Sequence, residues 1–537
     1  MVHMSRKWSI QMDRVKPVLT KSEKRERPSS PGVILLPMEQ LDPVACHRAL
    51  QTRDPRFDGR IFVGVTSTGI YCRPVCPART AKFENCRWYP SAPAAQEAGF
   101  RPCLRCRPET APDLGAWRGT SNTVTRGLAL IAEGALDGDE AGVDRLAERL
   151  GVGGRQLRRL FKQHLGASPI AVAQTRRVLF AKQLIHDTRM PMTEIAMAAG
   201  FGSVRRFNEI FQDLFRRPPS ALRRKAVQAL PEGSVAESGV VLRLSYRPPY
   251  DWPAMLSFLS GRAIDGVEQV TDDCYRRTVQ HDGRLGTIEV RDLPQKQSLV
   301  ATIRFPDVTA LPAIVASVRR VFDLSADVAL IGAHLAQDPL LAPLVAERPG
   351  LRAPGGWGGF ELAVRAVLGQ QVTVEAARRL ASQLVALCAI AVPAEQRIDP
   401  GLALGFPTPA QVIAADLGPL GMPGARRAAL VALAEAALAD PHLFQPLGTI
   451  EETLARLRRI RGIGEWTAHY IALRAVRETD AFPASDIGLL RGAAAPDGTR
   501  PSPAALADRA EPWRPWRAYA AQHLWAADPA YLKRSLR

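Results

Sequence analysis

The stretch "LRRIRGIGEWTAHYIALRA", residues 457–475, decides the fold of the carboxyl-terminal half of this chain. Two helical runs flank the glycine-rich turn "IRGIG", which is the pattern of a helix–hairpin–helix. At Gly462 and Gly464 backbone N–H groups can approach a DNA phosphate with no side chain in the way, and N–H groups at a helix start form an anion site. Asp486 follows 22 residues after Gly464. The turn predicts a hairpin that can bind a DNA phosphate, and aspartate is a common helix N-cap, which is the simplest interpretation of Asp486.

Four further segments extend this signal over residues 240–527. They are "YRPPYDWPAMLSFLSGRAIDGVE" (246–268), "GGFELAVRAVLGQQVTVEAA" (358–377), "FPTPAQVIAADLGPLGMPGARRAAL" (406–430) and "EPWRPWRAYAAQHLW" (511–525). With the hairpin they resemble the AlkA family of 3-methyladenine DNA glycosylases, within the helix–hairpin–helix glycosylase superfamily. The resemblance implies an α+β amino-terminal domain at residues 240–351 and an all-α glycosylase domain at residues 352–537. β-branched alternation such as "VVLRLSY" agrees with the first of these.

The resemblance also assigns roles to individual residues. It implies that Asp486 is catalytic, that Trp466, Tyr470 and Trp525 hold the base, and that Gln371 replaces the family leucine that fills the gap left by the flipped nucleotide. A purine alkylated at a ring nitrogen is positively charged and a good leaving group, so aromatic faces hold it by cation–π attraction. The nucleotide must be flipped out of the stack. The carboxylate then stabilises the cationic sugar or activates water.

Trp466 also bears on the type of reaction. In bifunctional relatives a lysine two residues after the last hairpin glycine forms a Schiff base and cleaves the strand. Here that residue is Trp466. Because an amine nucleophile is missing, the resemblance implies a monofunctional glycosylase. No four-cysteine iron–sulfur motif follows the site.

Four cysteines nearer the amino terminus form two close pairs, Cys72-x3-Cys76 and Cys103-x2-Cys106, separated by 26 residues. Two such pairs can converge on one ion, and four thiolates suit tetrahedral Zn²⁺. On spacing alone, a structural zinc knob is the simplest interpretation. Cys86, between the pairs, is expected to be a spare buried thiol.

The surrounding segment, residues 58–106, adds a second interpretation. "DGRIFVGVTSTGIYCRPVCPARTAKFENCRWYPSAPAAQEAGFRPCLRC" resembles the amino-terminal domain of the Ada family of adaptive-response regulators. The resemblance implies that the zinc ligand Cys72 takes a methyl group from a DNA methyl phosphotriester, as a thiolate kept deprotonated by the metal. It places Thr68, Arg79 and Arg101 against phosphate. Pro77 stands where the family has an arginine.

The tripeptide Cys46-His47-Arg48 is similar to part of the Pro-Cys-His-Arg active site of the alkylguanine methyltransferase domain. Ala45 replaces the proline, and none of the methyltransferase sequence surrounds it. A buried cysteine on an amphipathic helix is the better interpretation. We infer that the guanine-repair domain is absent.

Between the two halves lie two helix–turn–helix patterns, "VDRLAERLGVGGRQLRRLFKQHLG" (143–166) and "MTEIAMAAGFGSVRRFNEIFQDLFRRPP" (192–219). The segment from Val143 to Lys225 contains 17 Lys and Arg residues but only 6 Asp and Glu residues. The second helices present Arg155, Arg158, Arg159 and Lys162 in the first pattern and Arg205, Arg206 and Asn208 in the second. The tandem resembles the AraC-type activator domain, which implies promoter DNA and RNA polymerase as partners. A helical bundle with a solvated basic face is the alternative, and which arginines read bases stays open.

Size and charge agree with a multidomain protein, α+β and mainly α, that binds double-stranded DNA. The 537 residues exceed one core, and the net charge of +18 suggests an anionic partner. We expect a disordered extension at residues 1–37, a zinc domain at 38–112 and a helix–turn–helix domain at 126–226. Linkers are expected at residues 115–125 and 231–239. Clustered cysteines favour metal over disulfides and hence a reducing cytoplasm, and no apolar run is long enough to cross a membrane.

Three hypotheses therefore remain at the level of the sequence. The first is a fused damage sensor and glycosylase that acts on alkylated DNA. The second is a DNA-binding regulator with an inactive glycosylase-like half, and Asp486 discriminates between these two. The third is a zinc-stabilised DNA-binding protein without methyl acceptance, which Cys72 tests.

Overall fold

The computed structural model describes residues 41–112, 122–137, 142–223, 239–388, 390–446 and 449–528. The expected extension at residues 1–37 and most of both expected linkers lie outside these residues. In the described ranges, no helix is both long enough and apolar enough to cross a membrane.

The first module is a four-stranded sheet with strand order β3-β1-β2-β4. Its elements are α1 (Pro43–Thr52), β1 (Phe62–Val65), β2 (Ile70–Cys72), β3 (Cys86–Tyr89), α2 (Ala92–Glu97) and β4 (Arg101–Pro102). β1 pairs antiparallel with β2 and β3, whereas β2 and β4 run parallel with Tyr71 opposite Pro102. Because parallel neighbours end at the same edge, Cys72 and Cys103 meet there and bring the two cysteine pairs together.

Within residues 122–137 and 142–223, six helices form the helix–turn–helix module. They are α3 (Asn122–Ala132), α4 (Val143–Arg149), α5 (Gly154–Leu165), α6 (Pro169–Asp187), α7 (Met192–Ala198) and α8 (Val204–Phe215). Leu157, Phe161 and Leu165 recur every fourth residue on α5, and all three are buried. On α8 the residues Phe207, Phe211 and Phe215 repeat that pattern. Each second helix therefore buries one face and leaves the basic face in solvent.

The first expected linker is wrong at its carboxyl end, because residues 122–125 already belong to α3. Val124 is buried in the same core as Leu157 and Phe161. An apolar residue at helical spacing thus outweighs the Ser/Thr content of this stretch. The glycine breaks agree with the expectation: Gly151, Gly166 and Gly200 all have positive φ.

The third module is a five-stranded antiparallel sheet with strand order β5-β9-β8-β7-β6. Its elements are β5 (Val240–Ser245), α9 (Trp252–Ser260), β6 (Glu268–Val270), β7 (Cys274–His281), β8 (Arg284–Leu293), β9 (Ser298–Arg304), α10 (Leu311–Val321), α11 (Val328–Leu335) and α12 (Leu341–Glu347). Its apolar face shares one continuous core with α6, α7 and α8 of the preceding module. The two modules are therefore packed together and not merely tethered.

The last module is helical apart from a ladder of two residues on each strand, β10 (Ile390–Ala391) and β11 (Leu404–Gly405). Its helices are α13 (Gly359–Leu368), α14 (Val374–Cys388), α15 (Pro409–Ala414), α16 (Gly424–Ala439), α17 (Ile450–Arg458), α18 (Glu465–Ile471), α19 (Ile487–Gly492), α20 (Pro503–Arg509) and α21 (Arg517–Ala527). A π-helical turn, Ala472–Val476, continues α18. The hairpin predicted from the sequence joins α17 to α18.

A buried ion network joins the five-stranded sheet to α13. Glu361 accepts hydrogen bonds from Arg277 at 2.7 Å and from Arg365 at 2.7 Å. Arg365 also donates to Glu268 at 2.6 Å. Burial raises the pKa of Glu361, but the two guanidinium groups outweigh it and lower that pKa to about 2. The carboxylate is therefore charged at neutral pH, and together with Glu268 it balances the charges of Arg277 and Arg365.

Glu361→Ala is expected to lower the free energy of unfolding by about 3–5 kcal/mol, because it leaves Arg277 and Arg365 without their shared counter-charge. Chemical denaturation of the full chain measures the change. Glu375→Ala, at an exposed glutamate on α14, is the matched control and should change it by no more than about 0.5 kcal/mol. Equal losses in both variants would contradict a structural role for the network.

Candidate functional site

Asp486 lies at the start of α19, where its carboxylate is partly exposed and makes four hydrogen bonds. Oδ1 accepts from the backbone N–H of Gly488 at 2.8 Å and of Leu489 at 3.1 Å. Asp486 is therefore the N-cap of α19. The N-cap interpretation weighed from the sequence is correct, but it accounts for only two of the four bonds.

The other two donors are the indole groups of the tryptophans singled out from the sequence. Trp466 Nε1 donates to Oδ2 of Asp486 at 2.7 Å, and Trp525 Nε1 donates to Oδ1 at 2.8 Å. Trp466 comes from α18 and Trp525 from α21. Three helices thus hold the carboxylate in one orientation, which an N-cap alone does not require.

Tyr470 completes an aromatic cluster around this carboxylate. Its ring stacks on that of Trp466, with centroids 5.4 Å apart and an interplanar angle of 15°. It meets Trp525 edge to face at 6.4 Å. All three rings are partly exposed, in contrast to Trp513 and Trp516, which are buried in the core. The structure therefore brings the four predicted residues together and separates them from the core tryptophans.

Arg474 was not predicted, and it lies behind the aromatic cluster. Its guanidinium carbon is 5.0 Å from the ring centroid of Trp525, 5.8 Å from that of Tyr470 and 4.6 Å from that of Phe258. Burial lowers the pKa of Arg474 to about 10, so it still carries charge at neutral pH. The helical spacing of residues 466, 470 and 474 was the signal that would have found it.

Arg262 also adjoins the cluster, and the sequence reasoning missed it. Its guanidinium carbon lies 3.9 Å from the ring centroid of Phe258. Burial raises the pKa of Tyr470, but Arg262 and then Arg474 outweigh it, and the net pKa is lowered. Arg262 and Phe258 both come from the segment 246–268, so the amino-terminal module contributes to the same site.

His469 holds the chain segment that precedes Asp486. Its Nδ1 accepts a hydrogen bond from the backbone N–H of Phe482 at 3.2 Å. Burial lowers the pKa of His469 to about 4, so the ring is neutral and able to accept at neutral pH. This bond ties α18 to the chain that leads into Asp486.

The hairpin beside this site has the backbone that a phosphate contact requires. Gly462 has φ +86°, and a Cβ there would lie 2.4 Å from the Cβ of Ala429. Gly464 is exposed, and a Cβ there would meet nothing within 4 Å. The first glycine is therefore required by packing, whereas the second leaves the backbone open to solvent.

Gln371, the predicted wedge, is exposed in the turn between α13 and α14, with φ +58°. The neighbouring Gln370 donates from Nε2 to the carbonyl of Gly462 and to the hydroxyl of Thr467, each at 3.0 Å. Gln370 thereby holds the turn of Gln371 against the hairpin. The turn that carries Gln371 is therefore joined to the hairpin by two hydrogen bonds.

The four-cysteine centre (Cys72, Cys76, Cys103 and Cys106) lies at the end of β2 and β4. Its Sγ atoms all lie within 4.8 Å of one another. Tetrahedral zinc with Zn–S bonds of about 2.3 Å needs sulfur atoms about 3.8 Å apart, so the donors fit this ion. Cys72 is partly exposed, whereas the other three are buried. Cys86 and Cys46 are buried elsewhere, as expected.

The residues expected to face phosphate lie around this centre. Thr68, in the β1–β2 turn, and Arg79 are exposed, and Arg101 is partly exposed. Arg73, next to Cys72, points inward instead: it donates to Asp58 at 2.8 Å and to Thr110 at 2.6 Å. Arg73 is thus committed to contacts within the module, whereas Arg79 and Arg101 keep exposed surface.

The predicted arginines of both second helices are exposed. Arg158 makes an ion pair with Asp144 at 3.4 Å. Arg205 pairs with Glu209 at 2.8 Å, and its side chain is 89% exposed. Arg159 is exposed on α5, as Arg158 is, and Arg206 is exposed on α8, as Arg205 is. Surface pairs of this kind contribute little to stability, so these arginines are available to another anion.

Three protein families match parts of this chain. The metal binding domain of Ada matches residues 45–109, a helix-turn-helix domain matches residues 146–225, and the AlkA N-terminal domain matches residues 241–358. These matches confirm the resemblances inferred from the sequence and the multidomain fold class.

Three curated relatives cover different shares of the chain. The probable bifunctional transcriptional activator/DNA repair enzyme AlkA of Mycobacterium tuberculosis (strain CDC 1551 / Oshkosh) is 40% identical over 481 residues, 89% of this chain and 95% of the relative. DNA-3-methyladenine glycosylase 2 of Escherichia coli (strain K12) is 35% identical over 285 residues, 52% of this chain and 95% of the relative. The bifunctional transcriptional activator/DNA repair enzyme Ada of the same organism is 34% identical over 154 residues, 29% of this chain and 41% of the relative.

Proposed function

Because this chain belongs to the family of bifunctional transcriptional activator/DNA repair enzymes of the AlkA type, we propose that its carboxyl-terminal half hydrolyses the N-glycosidic bond of alkylated purines in DNA. The observation that carries this proposal is the carboxylate of Asp486, held by the indole N–H groups of Trp466 and Trp525. Both rings belong to the partly exposed cluster with Tyr470. A base of the 3-methyladenine type is the substrate that this combination suits.

The aromatic cluster supplies the binding step. An alkylated purine carries positive charge, and the faces of Trp466, Tyr470 and Trp525 attract a cation by their ring quadrupoles. Gln371 enters the space that the flipped nucleotide leaves, and hydrogen-bonds the orphaned base. The backbone at Gly462 and Gly464 holds the neighbouring phosphate. These contacts hold the base outside the stack before the bond breaks.

Asp486 supplies the chemical step. As the bond between the sugar carbon and the base nitrogen breaks, its electron pair leaves with the base and positive charge builds up on the sugar. The carboxylate of Asp486 stabilises that charge, and water then adds to the sugar carbon. Both carboxylate oxygens already accept hydrogen bonds, so through-space stabilisation needs no rearrangement. To activate water, the carboxylate would have to accept one more hydrogen bond. We therefore favour electrostatic stabilisation of the sugar cation as the role of Asp486.

We propose that the glycosylase is monofunctional. Strand cleavage needs an amine that forms a Schiff base, and the residue at the relevant position is Trp466. From residue 352 to the carboxyl terminus the sequence contains one lysine, Lys533. The same region contains one cysteine, Cys388, so it cannot supply the four ligands of an iron–sulfur cluster.

An alkylated duplex tests both parts of this proposal. The native chain is expected to release free methylated purine and to leave abasic sites in strands that stay intact until alkali is added. Borohydride is expected to trap no covalent complex, because no imine forms. Unchanged DNA would refute the glycosylase, whereas released base with a trapped complex would refute only the monofunctional assignment.

A second function is favoured by the four-cysteine centre. We propose that Cys72 accepts the methyl group of a DNA methyl phosphotriester, because it is the one partly exposed residue of the four. Bound zinc keeps such a sulfur in its thiolate form. Sγ of Cys72 attacks the methyl carbon, the carbon–oxygen bond breaks, and the phosphate leaves as a diester anion. Thr68, Arg79 and Arg101 hold the phosphate.

The helix–turn–helix module is proposed to bind promoter DNA and to contact RNA polymerase. Its support is the pair of exposed basic faces on α5 and α8, at Arg158, Arg159, Arg205 and Arg206. We propose functional boundaries at residues 38–112 for methyl acceptance, 126–226 for promoter binding, and 240–351 with 352–537 for base excision. Alkylated DNA is then both the substrate and the signal.

A further inference from the structure

We propose that Lys182, a residue of the helix–turn–helix module, is a positioning residue of the four-cysteine centre. The long helix α6 would thus complete a metal centre whose four ligands all come from another module. This inference rests on the proposed zinc binding. It adds Lys182 to the surroundings of the zinc site and couples the site to the docking of α6.

The contacts of Lys182 are short and fully buried. Its side chain has no exposed surface. Nζ donates to the backbone carbonyl of Cys103 at 3.1 Å and to Oε2 of Glu109 at 2.6 Å. Cys103 is a member of the centre, and Glu109 follows Cys106 by three residues. The ammonium group therefore holds the chain on both sides of the second cysteine pair.

Other charged side chains surround the contact between Lys182 and Glu109. The side chain of Glu109 is 1% exposed and also accepts from Arg107 at 3.0 Å, while His186 Nδ1 lies 3.4 Å from it. Arg107 in turn donates to Asp187 at 2.9 Å. Residues 107 and 109 belong to the zinc module, and residues 182, 186 and 187 belong to α6. Docking thus pairs Lys182 with Glu109 and Arg107 with Asp187 across the interface.

Simple packing of two modules does not require such a cluster. A buried ammonium or carboxylate that loses its partner is strongly unfavourable. Lys182 and Glu109 are both buried while α6 is docked, so loss of either side chain would leave the other charge buried without this partner. Because the pair joins the ligand loop to α6, an ion that fixes the loop also favours the docked helix.

The same helix reaches the glycosylase half. Gln183, next to Lys182, donates from Nε2 to the carbonyl of Arg243 on β5 at 2.9 Å. Arg243 also lies 3.8 Å from Asp187 in an ion pair. One helix thus contacts the metal centre on one side and the repair module on the other. A change at the centre acts first on α6.

The test measures zinc release from the zinc-loaded full chain into an excess of a chromogenic chelator. Lys182→Met is expected to release zinc about tenfold faster or more, because a charge-assisted hydrogen bond to the ligand loop is lost. Lys162→Met is the matched control. Lys162 crosses the same interface to Glu97 at 2.9 Å, but its side chain is 65% exposed. It should release zinc at the native rate.

Equal release from native and Lys182→Met chains would overturn the proposal, and so would equal acceleration by both variants. If Lys182→Met does not fold, hydrogen exchange on the native chain gives the answer. Zinc removal is expected to raise exchange in residues 178–187 of α6, and unchanged exchange there would overturn the coupling. Methyl transfer to Cys72 is measured on the same native sample. Its absence with normal zinc behaviour would refute methyl acceptance alone.

Discussion

Incubation of the zinc-loaded chain with duplex DNA that carries methyl phosphotriesters is expected to leave one methyl group on Cys72 and none on the other cysteines. Cys72 is the one partly exposed residue of the four-cysteine centre. All four zinc-bound sulfurs would be thiolates, and we expect the phosphotriester to reach the one on the partly exposed residue. We expect one methyl group per chain, because the thioether formed at Cys72 does not give the methyl group up again. Mass spectrometry of the digested protein locates the methyl group.

Two variants sharpen this test. Cys72→Ser should carry no methyl group at all. Cys86→Ser is the matched control, because Cys86 is buried in the same module and lies outside the centre; it should be methylated at Cys72 like the native chain. A methyl group on another cysteine of the native chain would contradict the assignment of Cys72.

Asp486→Asn is expected to lower the rate of base release by a factor of about 10³ or more. Loss of a single preorganised electrostatic contact costs about 10² to 10³ in other enzymes, and here the full negative charge disappears. Asparagine is nearly the same size and is itself a good N-cap, so α19 should persist. Its amide also presents N–H groups to an indole N–H, which removes one of the four hydrogen bonds.

Trp466→Phe separates charge from orientation. It removes the bond from Nε1 to Asp486 but keeps the carboxylate and an aromatic face beside Tyr470. We expect a loss of about 10-fold, the size of one hydrogen bond to a charged group. A loss as large as that of Asp486→Asn would mean that orientation, and not charge, dominates.

The residues of the candidate site could be named from the sequence because they lie in short segments that resemble the AlkA family. Gly462, Gly464 and Trp466 lie within five residues, and Asp486 follows at a fixed interval. The family resemblance implied roles for Asp486 and Trp466, and the structure joins their side chains by a hydrogen bond. Arg474 was not predicted as a site residue, because an arginine on an Ala/Leu-rich helix is ordinarily exposed to solvent. Here it is 2% exposed.

The joins between modules could not be predicted in the same way. Lys182 and Glu109 are separated by 73 residues, and each is an ordinary surface residue when considered alone. The shared core of α6, α7 and α8 with the five-stranded sheet joins residues on both sides of an expected linker. Periodicity shows which face of a helix is apolar, but not which partner covers it. Such contacts depend on the whole fold.

The most direct test of the central claim compares base release by the native chain and by Asp486→Asn under single-turnover conditions, on one alkylated duplex that both chains bind. Our account predicts that the native chain frees the methylated purine, and that the variant binds the duplex equally well and frees almost none. Equal release by both chains would contradict it, because the carboxylate among the three aromatic rings would then have no part in breaking the bond.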